Sequence, residues 1–301
     1  TIFEGADGAG KTTLISALNA HRHAVVLNHG PYPGEALIAR HYLRSLGQAR
    51  NASIFLDRSW LAEPIYGRVH RGGVDRVGVA SRRMLDRVAL ALGGVVVRCA
   101  PPFERCAAAF TSRKALHAEY LNDVVQLRQV YDGYLSSLRT DLPVVPYDWT
   151  MKAPKALWPL IEAARPLKNG GPGIGNWSPD KVTLLIGDRM NIKPNPSAWD
   201  LPFVSFNNGG CSAWLATELE KANVPEAGLY WVNSTGLDGR PIAADFAARL
   251  RPVKTVALGG AAAAWCAQNK LKHTRVEHPQ FWKRFRAHEP YSLFGLLQEV
   301  L

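Results

Sequence analysis

Sulfur is scarce in this 301-residue sequence, which has three methionines and four cysteines. Cys99, Cys106, Cys211 and Cys266 stand far apart, without CxxC spacing or the density of a disulfide scaffold. That excludes a cysteine-clamped zinc module and a cystine-stapled secreted fold, and leaves reduced core thiols as the expectation. No apolar run reaches the roughly 18 residues that a membrane-spanning helix needs, and the N-terminus runs straight into a motif without a leader. The expected setting is cytoplasmic, that of the host cell if the source is viral. Internal repeats and low-complexity tracts are absent as well. Acidic residues are in deficit, 25 Asp and Glu against 36 Lys and Arg, for a formal charge of +11. Most of the excess falls before residue 170. A surplus of this size favours polyanionic partners such as nucleic acid, and a phosphate-binding enzyme with a basic surface also meets it.

What is present is a globular composition, 47% hydrophobic and 20% charged, in a chain long enough for two cores. Short apolar runs at Ala24 to Leu27, Ala52 to Leu56 and Gly94 to Cys99 read as strands. Helical periodicity over Glu35 to Leu46, Val79 to Leu92 and Glu119 to Leu138 supplies helices to cover their sheet. The alternation predicts an α/β fold with a parallel sheet over residues 1–166. A Gly- and Pro-rich stretch at 167–180 reads as a linker. Beyond it, strands at Lys181 to Gly187, Leu229 to Asn233 and Thr255 to Leu258 alternate with helices at Trp214 to Ala222 and Ile242 to Leu250, predicting a second, smaller α/β domain over 181–301.

Residues Gly5-Ala6-Asp7-Gly8-Ala9-Gly10-Lys11-Thr12 match GxxxxGK[ST], between a strand remnant and a helical pattern, the context the motif requires. Its glycines let backbone N–H groups close around phosphates at a helix N-terminus. Lys11 reaches the β/γ oxygens, and Thr12 offers its hydroxyl to magnesium. Gly5, Asp7, Gly8, Ala9, Gly10, Lys11, Thr12 and Thr13 are therefore the expected ATP-binding residues, with Mg2+ as the accompanying ion.

Extended by Glu4 and Thr13, this string resembles the opening of the thymidylate kinase family of P-loop kinases. Phe55-Leu56-Asp57-Arg58-Ser59 is similar to the acid-arginine pair that this family and the deoxynucleoside kinases place at a strand end. The resemblance implies that Asp57 lies by the reacting oxygens, with Thr12, at the metal, and that Arg58 binds phosphate. Arg105 and Ser112-Arg113-Lys114 fall where the family carries its lid, which makes Arg113 a candidate ATP contact. Gly30 to Glu35, with Arg40 following, stands at the family's acceptor loop but departs from its Glu-Pro-Gly-Gly-Thr wording. An alcohol acceptor benefits from a carboxylate that takes its proton, whereas a monophosphate acceptor arrives already anionic. Asp57 and Glu4 are both candidates for that base, and the sequence leaves the choice open.

In the second half the order of features resembles the uracil-DNA glycosylase superfamily. Leu185-Ile186-Gly187-Asp188 comes first, followed by Pro202-Phe203-Val204-Ser205-Phe206 before Gly209-Gly210. Tyr230-Trp231-Val232-Asn233, Ala257-Leu258-Gly259 and His278-Pro279 complete the series. The resemblance implies that Asp188 activates water, Phe203 stacks on an extruded base, Asn233 reads its edge and His278 stabilises the leaving base. The match has departures: Asp188-Arg189-Met190-Asn191 replaces the usual Glu-x-Pro-Gly, and Gln280 follows His-Pro where Ser is usual. A pocket of this kind can also read a flipped base without cutting it. The tail interleaves Lys270, Lys272, Arg275, Lys283, Arg284 and Arg286 with His273, Phe281, Trp282 and Phe285, as a DNA surface does. The three large aromatics equally suit the core of a final helix.

A thymidylate-kinase-like half joined to a glycosylase-like reader resembles the phage enzymes that phosphorylate 5-hydroxymethyluracil within DNA during thymine hypermodification. The implied reaction is ATP-dependent phosphate transfer, and the implied partner is DNA containing a modified pyrimidine. Two alternatives stand beside it: a kinase of free deoxynucleoside monophosphates, and a glycosylase with an accessory P-loop domain.

Overall fold

The computed structural model describes residues 1–29, 38–113, 123–189, 201–204 and 210–299. The chain divides into two compact units, one of residues 1–78 and 94–165, the other of 79–93 and 166–301.

The first unit is built on β1 (Ile2–Glu4), β2 (Val25–Asn28), β3 (Ile54–Asp57), β4 (Val96–Cys99) and β5 (Val144–Tyr147). These form one sheet in the order β2-β3-β1-β4-β5, with every pairing parallel. Its helices are α1 (Lys11–Asn19), α2 (Ile38–Gln48), α3 (Glu63–His70), α5 (Phe103–Arg113), α6 (Val124–Ser136) and α7 (Pro154–Ala164). A parallel sheet needs helical crossovers covering it, and so its central strands read as continuous apolar runs. Ile2, Phe3, Phe55, Leu56, Val96 and Val97 are accordingly almost wholly buried.

Between α3 and β4 lies α4 (Val79–Ala91), whose residues cluster with the second unit. Its periodicity predicted a helix covering the first sheet, and the assignment to that sheet is corrected. Arg87 of α4 is fully buried and donates from Nε and Nη2 to Glu226 at 2.9 and 2.8 Å. Arg83, four residues earlier, donates from Nε to Glu220 at 2.8 Å. Buried and half-buried charges thus tie this helix to residues about 140 positions downstream.

The second unit adds β6 (Ile174–Gly175), β7 (Thr183–Arg189), β8 (Leu229–Thr235), β9 (Lys254–Leu258) and β10 (Thr274–Val276). Their order is β10-β9-β7-β8-β6, parallel except for β6, which runs antiparallel on β8. The stretch expected as a structureless linker thus carries an edge strand. Helices α8 (Cys211–Lys221), α9 (Asp245–Leu250), α10 (Gly260–Gln268), α11 (Pro279–Phe285) and α12 (Ser292–Gln298) complete the unit. Chain order reverses between β7 and β9, and ligands in open α/β sheets bind at the carboxyl ends of strands beside such a point.

Cys99, Cys106 and Cys266 are buried free thiols, as expected, and Cys211 is a half-buried one. Among the described residues no helix is long and apolar enough to cross a membrane.

Candidate active site

The loop between β1 and α1 has backbone that only glycine adopts easily. Gly5 and Gly8 have φ of 148° and 78°, and a Cβ on either would lie 2.4 Å from the Cys99 carbonyl oxygen or 2.3 Å from that of Cys106. Any side chain would therefore collide with main chain. Gly10, at φ 85°, is the N-cap of α1, whose first turn holds no acidic side chain to compete with an anion. Lys11 folds back over the loop, its Nζ donating to the carbonyls of Gly5 and Ala6 at 2.8 and 2.9 Å. Burial lowers the Lys11 pKa, Arg58 lowers it further, and Asp7 and Asp57 pull against both.

At the end of β3, Asp57 Oδ2 accepts a 3.0 Å hydrogen bond from Thr12 Oγ1. The two residues named for the metal are thus adjacent. Both donors are oxygens, and among the described residues no cluster of three or more His, Cys, Asp or Glu forms a self-sufficient metal cage. A hard ion that takes one or two protein oxygens and completes its shell with phosphate and water fits this donor set, and magnesium is such an ion.

Arg58 follows with φ 71°, an unfavourable conformation for a long side chain, and pairs with Asp7. Its guanidinium lies 4.8 Å from the centre of the Tyr66 ring, and the Tyr66 hydroxyl donates to Asp7 at 3.0 Å. Burial raises the Asp7 pKa, but Arg58, Lys11 and these hydrogen bonds outweigh it and hold the carboxyl below its usual range. Asp7, expected among the nucleotide contacts, is thus engaged as the partner of Arg58.

Glu4 is fully buried at the end of β1. It accepts from Ser59 Oγ at 2.6 Å and from the Tyr134 hydroxyl at 2.9 Å. Burial pushes its carboxyl up to about 7, against the pull of those two donors and of Lys11 and Arg58. Ser59 stood in the quoted acid-arginine string without a role assigned to it, and Tyr66 and Tyr134 escaped the sequence reading because nothing local marks them. Trp149 escaped too: it follows β5, is 40% exposed, and approaches Gly10 so closely that a Cβ there would sit 3.0 Å from its ring. Arg113 is the last residue of α5, while Lys114 and the acceptor-loop stretch at 30–35 lie outside the described residues.

In the second unit the four residues named for base recognition meet at the carboxyl edge of the sheet. A Cβ on Gly187 would lie 2.4 Å from both Asn233 Oδ1 and the Phe203 ring, and one on Gly259 would lie 3.1 Å from Asp188 Oδ1 and 3.2 Å from His278. Asp188 Oδ1 accepts the Ala262 N–H at 3.0 Å in the first turn of α10, and Oδ2 lies 3.7 Å from His278 Nε2. The other ring nitrogen of His278 accepts the Gln280 N–H at 3.1 Å, so in the neutral ring Nε2 bears the proton. Phe203 has φ 57° and packs 4.8 Å from Trp231. Its carbonyl accepts a 3.1 Å hydrogen bond from Arg87, which also lies 4.3 Å over the Trp231 ring. In the tail, Trp282 is core, whereas Phe281 and Phe285 are exposed at 41% and 66%.

No protein-family profile matches the chain, and no curated relative does. Among solved structures it is similar to the YorR protein of Bacillus subtilis in complex with phosphorylated GDP, at 15% identity and TM-score 0.43, over 54% of this chain and 94% of that one. It is also similar to the deoxyadenosine kinase of M. mycoides with the products dCMP and dCDP bound, at 16% identity and TM-score 0.35, over 54% of this chain and 96% of that one.

Proposed function

We propose that the chain is an ATP-dependent phosphotransferase acting on the hydroxymethyl group of 5-hydroxymethyluracil in DNA, with the second unit reading the base. The observation that carries the phosphotransfer reading is the gathering of Lys11, Thr12, Asp57 and the Asp7–Arg58 pair around one glycine loop at a helix N-terminus. Backbone N–H groups of Gly8 to Thr13 bind the phosphates, and Lys11 leaves its loop carbonyls for the charge that builds on the β/γ oxygens. Thr12 and Asp57 would hold magnesium, which would supply charge neutralisation at the phosphates. Arg58, kept in place by Asp7 and Tyr66, is a fixed cation beside the reacting groups. Trp149 offers an aromatic face next to the loop for the nucleotide base.

The polymer acceptor is supported by the grouping of Asp188, Phe203, Asn233 and His278 around Gly187 and Gly259, by the basic charge of the chain, and by the exposed Phe281–Phe285 pair. Asp188 is engaged with the start of α10, which suits recognition of a base rather than hydrolysis. The experiment is transfer of labelled γ-phosphate to duplexes containing 5-hydroxymethyluracil, to thymine duplexes and to free thymidylate. Label confined to the first supports the reading. Label in thymidylate alone replaces it with a nucleotide kinase, and abasic sites in uracil DNA replace it with a glycosylase.

A further inference from the structure

Both carboxylates suggested for the proton-accepting role are already engaged. Asp57 holds Thr12 at the metal-binding edge, and Glu4 is fully buried with each oxygen taking a hydroxyl hydrogen bond. One basic atom at the same edge of the sheet is without such a commitment. His29 follows β2 directly, and its N–H donates to the Asp57 carbonyl at 3.0 Å, so its backbone lies one strand spacing, roughly 4.8 Å, from Asp57. The residue is 8% exposed, and its Nε2 has no hydrogen-bond partner among the described residues. A buried ring nitrogen left without a partner is uncommon and calls for a reason.

The other nitrogen is held. His29 Nδ1 and His41 Nε2 are 2.8 Å apart, with the rings perpendicular at 4.8 Å between centroids. With Nδ1 donating to His41, Nε2 carries an open lone pair. Tyr42 packs 5.1 Å from His29, and its hydroxyl donates to Glu63, which Arg71 and Arg76 neutralise. His41 is half-buried and is lowered by burial and by Arg44.

We infer that His29 Nε2 is the proton acceptor for an alcohol acceptor and that His41 relays the proton outward. As the hydroxyl oxygen bonds to the γ-phosphorus, the bond from phosphorus to the β–γ bridging oxygen breaks and ADP departs with that electron pair. The hydroxyl proton goes to His29 Nε2, the Nδ1 proton of His29 passes to His41 Nε2, and His41 releases a proton to solvent. This inference rests on the reading of the chain as a kinase of an alcohol acceptor.

The test compares single-turnover transfer to 5-hydroxymethyluracil DNA by the full-length parent, His29→Asn and His29→Ala. Asn keeps a donor near the Nδ1 position and lacks Nε2. We expect either variant to lose roughly 10²-fold or more in rate with nucleotide affinity unchanged. We also expect added imidazole to restore the Ala variant, an effect that a packing role would not produce. Parental rates in both variants, or a slow Ala variant that imidazole does not help, overturn the inference and leave the kinase reading standing. A parent protein that labels thymidylate alone removes that reading, and the proton acceptor with it.

Discussion

At the scale of the residue, Lys11 and Glu4 are opposite cases of a buried charge. Lys11 rests on two loop carbonyls, which the proposed function has it exchange for a phosphate. Lys11→Ala is expected to lower transfer by roughly 10²–10³-fold, measured as the single-turnover rate at saturating ATP. Glu4 has a carboxyl that burial raises from 4.5 to about 7. Its folded form therefore holds a proton where the unfolded chain has released it, so stability is full below about 4.5 and declines as the pH rises through 7. The loss is on the order of 3 kcal/mol. In Glu4→Gln this part of the pH dependence vanishes, which denaturant midpoints of the nucleotide-free protein at pH 5 and pH 8 check. The glycine loop was legible because its chemistry occupies contiguous residues. The support under Glu4 was not, because Ser59 and Tyr134 are 55 and 130 positions away, and no local pattern marks a tyrosine that will donate to a particular acid.

Among elements, α4 is the one whose existence was readable and whose allegiance was not. Periodicity reports that a helix has a covered side, not which sheet covers it. The Arg87 guanidinium has 1% side-chain exposure and its partner Glu226 has none. Breaking such a pair leaves Glu226 buried with only the Trp231 N–H and the more distant Arg83 to compensate its charge. Arg87→Met is expected to cost about 3–5 kcal/mol in the unfolding of the second unit, and adding Glu226→Leu to recover only part of it, because Trp231 Nε1 at 3.0 Å and Arg83 Nη1 at 3.4 Å then lose their acceptor. Because Arg87 also holds the Phe203 carbonyl, the single variant should weaken binding of base-modified DNA more than it weakens ATP binding. Fluorescence anisotropy with labelled duplexes measures the first and nucleotide titration the second. Strands β7, β8 and β9 were readable from their apolar runs, whereas β6 was hidden in two residues of a Gly-rich stretch and β10 in three residues of a basic one.

On the scale of the whole molecule, the chain passes between its two units three times, near residues 78, 93 and 165. The division expected at 166 would cut α4 from Glu220 and Glu226. Residues 1–166 and 167–301 expressed separately are therefore expected to lack the cooperative unfolding of the full chain, which circular dichroism melts of all three proteins check. The net charge of +11 belongs to this scale too. DNA affinity should fall steeply with salt, and the slope of log Kd against log salt counts the phosphates engaged.

The threaded connectivity has a practical corollary for anyone trying to dissect the protein. A protease that nicks the glycine-rich stretch around residues 169–173 severs the backbone but leaves α4, still covalently part of the front fragment, seated in the rear one. Such a cut product should travel as a single species on a sizing column and fall into two bands only in detergent, so intact elution there would be poor proof of an uncut chain.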